Sequence, residues 1–290
     1  MLTLRYRLRP EDDGLTLRAV LRGRMGLSCA QTSGLKGKAD LDGRTVFLNQ
    51  RGEAGGLVSV KLPPETTGVQ PIFGSPVRVL FEDDALLALH KPAGIETHPH
   101  RGGVSLLNLA LGYVREREPS VCLHPVHRLD AGTEGILVFA KHGCVQAMLM
   151  KEMEEGRFHK EYLGVVRGRL DPPAGSIRLP IAHDPALGPA RFVSSIEGKD
   201  AWTDYETVRN GVIDGVDASL VRFLLHTGRT HQIRAHAAAL GHPLLGDSLY
   251  GGGEKTGTYR LCASRLAFPH PLTGRLIQIE TEPSWGLSEV

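Results

Sequence analysis

The sequence predicts an α+β protein: a mixed, mainly antiparallel sheet preceded by a small α+β module. Two observations carry this. Strand-like segments outnumber helical ones and often follow one another directly, whereas a doubly wound fold would alternate them. The second is a break at Pro63-Pro64 that runs through a Thr/Gly/Pro stretch to Pro76, where consecutive prolines favour extended linker geometry. These divide the chain into a module over residues 1–65, a linker over 66–76 and a larger domain over 77–290.

In chain order, Leu15 to Met25 has the composition of a short basic helix, and Thr45 to Asn49 that of a strand ending in a turn. Leu57 to Leu62 alternates apolar and polar residues, the period of a half-buried strand. After the linker, Val77 to Phe81 and Ala85 to His90 read as two strands around a Glu82-Asp83-Asp84 turn. Leu106 to Val114 and Cys144 to Met153 have helical spacing and length, and the Met148, Met150 and Met153 group fits helix core and surface better than a binding box. Ile136 to Lys141 is an apolar run short enough for a buried strand. Glu161 to Val166, Trp202 to Val208, Ser219 to Leu225 and Leu276 to Ile279 are further strands.

Bulk properties exclude several classes. The 34 Lys and Arg residues nearly balance 32 Asp and Glu, for a net charge of +2, so a nucleic-acid partner requires locally arranged cations. The four cysteines, Cys29, Cys122, Cys144 and Cys262, include no CxxC pair, which fits neither a thiolate zinc site nor a disulfide scaffold. His98, His100, His124 and His127 lack zinc-enzyme spacing and a carboxylate partner, so no metal is expected. No apolar run spans a bilayer and the N-terminus lacks a signal peptide's apolar core. A cytoplasmic monomer is the expectation.

The richest segment is His127-Arg128-Leu129-Asp130-Ala131-Gly132-Thr133-Glu134-Gly135, a Gly-containing turn that feeds the apolar run. It places a carboxylate at a strand mouth with a guanidinium two residues away. Burial raises a carboxyl pKa and a nearby cation lowers it, so such a site is either an anchoring ion pair or a tuned active-site acid. Three other segments mix cations with rings or turns: His90-Lys91-Pro92-Ala93-Gly94-Ile95-Glu96-Thr97-His98-Pro99, Arg157 to Tyr162, and His226 to His236. The last opens an apparent helix that Thr227 or Thr230 would cap. On that helix Thr230, His231 and Arg234 share a face. Lys91 is suited either to a phosphate or to snorkelling into solvent. Gly246-Asp247 with Tyr250 reads as a turn that closes the site, a structural role for Asp247.

Together these segments resemble the RluA-type RNA pseudouridine synthases. His127 to Lys141 is similar to that family's HRLD-x-x-TSG-LLLFAK segment, and Phe81 to Pro99 to its ED-x-x-LLV-x-x-KPAG-x-x-x-HP segment. Leu225 to Tyr250 resembles L-x-TGR-x-HQIR-x-H-x-x-x-x-GHP-x-x-GD-x-x-YG, and Lys160-Glu161-Tyr162 the family's K-x-Y step. The likeness spans roughly 77 to 281, with the four motifs in the family's order. The first 65 residues resemble a degenerate form of the ribosomal-protein-S-four-like RNA-binding domain often fused to such enzymes.

The resemblance implies an isomerase that detaches uracil from ribose, rotates it and rejoins it through carbon five, with neither cofactor nor metal. Its substrate would be ribosomal RNA or transfer RNA. By position, Asp130 is the catalytic carboxylate, by either a covalent adduct or ribose proton removal. Arg234 is its basic partner, Tyr162 stacks on the base and relays a proton, and Arg128 fills the gap the uridine leaves. His127, Lys91, Lys160, Arg229, His231 and Gln232 are implied RNA contacts. A catalytically weak RNA-binding or ribosome-assembly factor on the same fold is the alternative. A two-carboxylate glycosidase fits less well, since only one carboxylate sits among the basic motif residues. Three positions depart from the pattern: Glu134 where Ser is usual, His226 where an acidic or other polar residue is common, and Cys262 where His is frequent. Glu134 is expected to raise the Asp130 pKa or to repel phosphate.

Overall fold

A computed structural model of the chain describes residues 3–35, 37–100, 102–183, 190–194, 197–251, 253 and 259–285. The first 61 residues contain β1 (Thr3–Arg7), α1 (Leu17–Gly23), α2 (Cys29–Gly34), β2 (Lys38–Leu41), β3 (Arg44–Phe47) and β4 (Leu57–Lys61). Their strands form a four-stranded antiparallel sheet in the order β1-β4-β2-β3. Thr16 and Ser28 cap the two helices through their side-chain oxygens, each satisfying an amide that helix geometry leaves unpaired.

Thereafter come β5 (Arg78–Glu82), β6 (Leu86–Lys91), α3 (Leu106–Arg115), β7 (His124–Pro125), β8 (Glu134–Ala140), α4 (Gly143–Glu154) and β9 (His159–Arg167). Next are β10 (Ala174–Ile177), β11 (Ile181–Ala182), β12 (Phe192–Val193), β13 (Thr203–Ile213) and β14 (Val216–Leu225). The chain then forms α5 (Gln232–Ala239), β15 (Leu261–Pro269) and β16 (Leu276–Glu280). The large sheet has ten strands, eight of them in the order β10-β13-β14-β9-β15-β8-β6-β5, with β16 on β15 and β7 on β8. The β15–β8 pairing is parallel and the others are antiparallel, so the fold is α+β with a mainly antiparallel sheet.

The central strands are buried on both faces, and their side chains sort by period two. Leu86, Ala88, Ile136, Val138 and Ala140 join a cluster with α4 residues and with Leu4, Leu17, Val20, Leu21 and Met25 of the N-terminal sheet and helices. Leu87, Leu89, Leu137 and Phe139 join a second cluster with Leu106 and Leu111 of α3 and Ile233 and Ala237 of α5. The first cluster makes the N-terminal module continuous with the body; the second carries the site.

The stretch expected as a linker has no regular secondary structure, yet it is bound along α3. Ile72 N donates to Asn108 O at 3.0 Å and the Asn108 side chain donates to Gln70 O at 2.8 Å. A Cβ added at Gly112 would lie 1.9 Å from Ile72 O, so this close approach requires glycine. The sequence pattern does not reveal β1, β2, β10 and β15. Charged residues interrupt β1 and β2, and the Cys and Ser of β15 mask its alternation.

Candidate active site

The turn before β8 is held from beneath. Thr97 Oγ1 donates to Leu129 O at 2.9 Å and accepts from Leu129 N at 3.2 Å, pinning the residue ahead of Asp130. Thr133 N closes the turn onto Asp130 O at 3.0 Å. The Lys91 ammonium is fully buried and donates to Pro92 O, Ile95 O and Ala131 O at 2.8–3.0 Å. It thus ties the 92–95 loop to the Asp130 turn. Burial pushes its pKa down to about 8, against the pull of Glu96, Asp130 and Glu134. Two glycines permit the geometry. A Cβ at Gly132 would lie 2.7 Å from the Tyr259 ring, and Gly135, at φ +109°, would bring one 2.4 Å from Ala263 O.

Above the turn stands α5. Arg234 Nη1 lies 3.8 Å from Asp130 Oδ2, but its fork is taken by buried Asp247, with Nε to Oδ2 at 2.7 Å and Nη2 to Oδ1 at 2.9 Å. The guanidinium also packs 4.3 Å from the Tyr259 ring centroid and 5.0 Å from that of Tyr250. Burial disfavours its charge, yet the Asp247 hydrogen bonds and the surrounding negative groups leave its pKa raised. His231 Nε2 is 3.9 Å from Asp130 Oδ2, and its Nδ1 meets the Tyr250 hydroxyl at 3.1 Å. Burial, with Arg234 and Arg191 nearby, outweighs the pull of Asp130 and holds this imidazole below its usual pKa.

Asp130, Arg234, His231 and Tyr162 line one recess of about 60 Å³, with Leu129, Leu225, Ile233 and Leu261 as apolar wall and Arg128 and Arg229 at the lip. Asp130's side chain is 29% exposed, so it is reachable from outside. Tyr162 is buried on β9, and burial first, then the charge of Asp130, raises its phenol pKa and keeps the proton on at neutral pH. The phenol is therefore a donor beside a carboxylate acceptor, the pairing that acid–base work on one substrate needs. A hollow of about 910 Å³ lies elsewhere, between β1 and α4; Tyr6 and Arg24 on its wall both donate to Asp12, at 2.6 and 2.7 Å, and that carboxylate is fully buried and so not reachable from outside as Asp130 is.

The structure brings Asp130, Tyr162, Arg234, His231, Arg128 and Arg229 to this recess, and Gln232 also lines it although its side-chain amide is spent within the fold. Lys160, two residues before Tyr162 on β9, is half-buried, with no acidic partner among the described residues, and burial lowers its pKa. Three expected RNA contacts are corrected. Lys91 neither snorkels nor meets phosphate, because its donors are spent on three carbonyls. Gln232 is buried, bonded to Thr227, Arg229 N, Trp202 O and Thr203. His127 packs edge-on to Phe158, and burial lowers its pKa to about 3, so it offers phosphate no charge.

Neither Thr227 nor Thr230 caps α5: the N-cap is His231, in the left-handed conformation at φ 56° with no side-chain cap bond. Glu134 is buried against His90 at 3.7 Å and accepts from Ser284 N at 2.9 Å. Burial raises its carboxyl pKa, but these bonds hold it net below the usual range, so its charge is committed away from the RNA-facing lip. Tyr259 and Thr97 are parts of the site that the sequence does not announce. The sequence announces Asp247 only as part of a turn that closes the site, and nothing in the spacing ties it to an arginine on a preceding helix.

Residues 85–239, more than half of the chain, match the RNA pseudouridylate synthase family model. The chain is 39% identical over 219 residues to the uncharacterized RNA pseudouridine synthase YhcT of Bacillus subtilis (strain 168), covering 74% of this chain and 71% of that one. It is 34% identical over 219 residues to ribosomal large subunit pseudouridine synthase D of Nitrosomonas europaea, covering 71% and 62%. Among solved structures, human RNA pseudouridylate synthase domain containing 1 superposes with a TM-score of 0.62 at 24% identity, over 77% of this chain and 89% of that one. The chain belongs to the RNA pseudouridylate synthase family and is an RNA pseudouridine synthase of the RluA type.

Proposed function

We propose that Asp130 is the carboxylate that isomerises an extruded uridine, with Arg234 as its cation and Tyr162 as the base-stacking phenol. One observation carries this: Asp130 Oδ2 stands 3.8 Å from Arg234 Nη1, at the mouth of the recess that Tyr162 lines. The apolar wall suits the faces of a pyrimidine, and extrusion from a stacked helix costs a few kcal/mol that the recess must return. Arg128 is exposed at the lip, where a planar guanidinium can occupy the gap in the stack. Arg229 and Lys160 would bring phosphate close, with His231 beside them as an uncharged hydrogen-bonding ring.

Ribosomal RNA is the favoured substrate, supported by the likeness to a ribosomal large subunit synthase. Residues 1–65 would act as an RNA-binding module joined through 66–76 to a catalytic domain over 77–290. Arg5, Arg7, Arg9 and Arg24 line one side of the large hollow, and Lys151 and Arg157 the other, which supports a role in backbone binding. No described helix is long and apolar enough to cross a membrane. The proposed working form is a cytoplasmic monomer that needs no metal. The test is Asp130→Asn: it should abolish tritium release from uridine-labelled ribosomal RNA while RNA affinity stays near wild type. Normal turnover by this variant would overturn the assignment.

A further inference from the structure

Away from the recess, three side chains form a stack that the isomerisation does not use. The register that pairs Ile177 with Thr203, and Thr203 with Leu225, extends one residue further and sets Arg178, Trp202 and His226 side by side across three strands. The His226 ring lies 3.8 Å from the indole at 20° between planes, and Arg178 Cζ lies 4.0 Å from the indole centroid. Two planar groups at that height collide if they share a face, so they sandwich the indole. The edge of the stack is fixed by Asp204. Trp202 Nε1 donates to Asp204 Oδ1 and to Ser176 Oγ, both at 2.8 Å, and His226 Nε2 meets Asp204 Oδ2 at 2.6 Å.

The stack is wired to the catalytic loop. Trp202 N donates to Thr227 Oγ1 at 2.9 Å, and Trp202 O accepts from His226 N and from Gln232 Nε2. Phe223 pairs with Tyr162, and His226 stands three residues beyond it, about 10 Å along the strand and, by the period of two, on the opposite face of the sheet, so one RNA strand would pass around the strand ends to reach both. Arg229 lines both the recess and a neighbouring groove, with its Nε bonded to Asp200 O at 2.9 Å.

Cross-strand ring pairs stabilise sheets in any protein. A purely structural stack, however, gains most when covered, and this one is open. The side chains of His226 and Asp204 are 31% and 36% exposed, and Arg178 is exposed, in no ion pair among the described residues. An open π surface ending in an uncompensated guanidinium has the chemistry of a nucleobase platform, since stacking tolerates any base and the guanidinium also binds phosphate.

We propose that the Arg178–Trp202–His226 stack docks an unpaired nucleobase of the substrate RNA, a short way along the strand from the uridine in the Asp130 recess. The proposal rests on the recess being the uridine site. The test measures binding of a fluorescein-labelled oligouridylate about ten nucleotides long, and of versions made abasic at each position in turn. Trp202→Ala should weaken the parent oligonucleotide about tenfold, the loss of one stacked base. Wild type should lose a similar factor at one abasic position, and Trp202→Ala should be indifferent to that position.

Arg178→Ala is an exposed change that leaves the indole in place, and it should weaken binding severalfold even if Trp202→Ala fails to fold. Unchanged affinity in the Arg178→Ala variant, or a Trp202→Ala variant still sensitive to the same abasic position, would overturn the proposal. Asp130→Asn should keep the affinity and the abasic pattern while losing product. Product formation by that variant would count against the uridine site and not against the stack.

Discussion

Replacing Asp247 tests whether Arg234 is held by a partner other than Asp130, the proposed catalytic acid. Asp247 is 1% exposed and takes two charge-assisted hydrogen bonds from Arg234, itself 7% exposed. Removing one member of a buried pair strands the other's charge and costs about 3–5 kcal/mol. At about 2–4 °C per kcal/mol for a protein of this size, Asp247→Ala should lower Tm by roughly 10 °C. The released guanidinium shifts relative to Asp130, and a displacement of about 1 Å at a reacting centre costs on the order of 100-fold in kcat. Restoring stability should not restore chemistry. In Arg234→Met/Asp247→Leu both charges are gone and apolar volume replaces them, so most of the Tm should return. Activity should stay at or below that of Asp247→Ala, because Asp130 has lost its cation. Thermal melts and single-turnover tritium release on the wild type and the two variants measure both. The reasoning fails if Asp247→Ala keeps wild-type kcat, or if the double variant regains it.

Two further outcomes follow from buried groups. His127 has its pKa lowered from 6.5 to about 3, so below pH 6.5 the unfolded chain takes up a proton that the folded chain refuses. Its share of stability is full above pH 6.5 and is lost as pH falls toward 3, at most about 5 kcal/mol. His127→Phe should flatten that part of the urea-midpoint profile against pH, and an unchanged profile would count against the buried neutral ring. Gly135→Ala combines a positive φ with a Cβ 2.4 Å from Ala263 O, so it should cost at least about 3 kcal/mol in urea unfolding and reduce kcat by displacing the Asp130 turn. A variant as stable as wild type would show that this turn has room to relax.

The sheet's centre is legible in the sequence because its segments alternate cleanly or run apolar: Ala85 to His90 and Ile136 to Lys141 fall on β6 and β8. The residues proposed for the chemistry are legible because they stand in local motifs, and the fold brings Asp130, Tyr162 and Arg234 to one recess from positions far apart in sequence. What stays hidden depends on where a donor's hydrogen bonds end. Lys91 and Gln232 look like RNA contacts until their partners are seen to be carbonyls and side chains of the fold itself. Glu134 looks like a charge beside the acid, and its use by His90 and the Ser284 amide depends on a segment 150 residues downstream. The stack of Arg178, Trp202 and His226 is likewise a product of register across three strands, which no single segment encodes.

Asp247 also accounts for the distance at which Asp130 is held. If the Arg234 fork closed on Asp130, each carboxylate oxygen would give a lone pair to it and fewer would remain for an approaching ribose or uracil. Because the fork is closed on Asp247, Arg234 offers Asp130 its charge without a hydrogen bond, at 3.8 Å. The guanidinium thus faces the carboxylate as an opposite charge while leaving its oxygens uncovered. His231 at 3.9 Å adds little, since its ring is held below its usual pKa. The protonated phenol of Tyr162 completes the arrangement as a donor whose proton burial keeps in place. The site thus leaves one carboxylate uncovered beside a cation, the arrangement that the proposed covalent attack or proton removal by Asp130 would use.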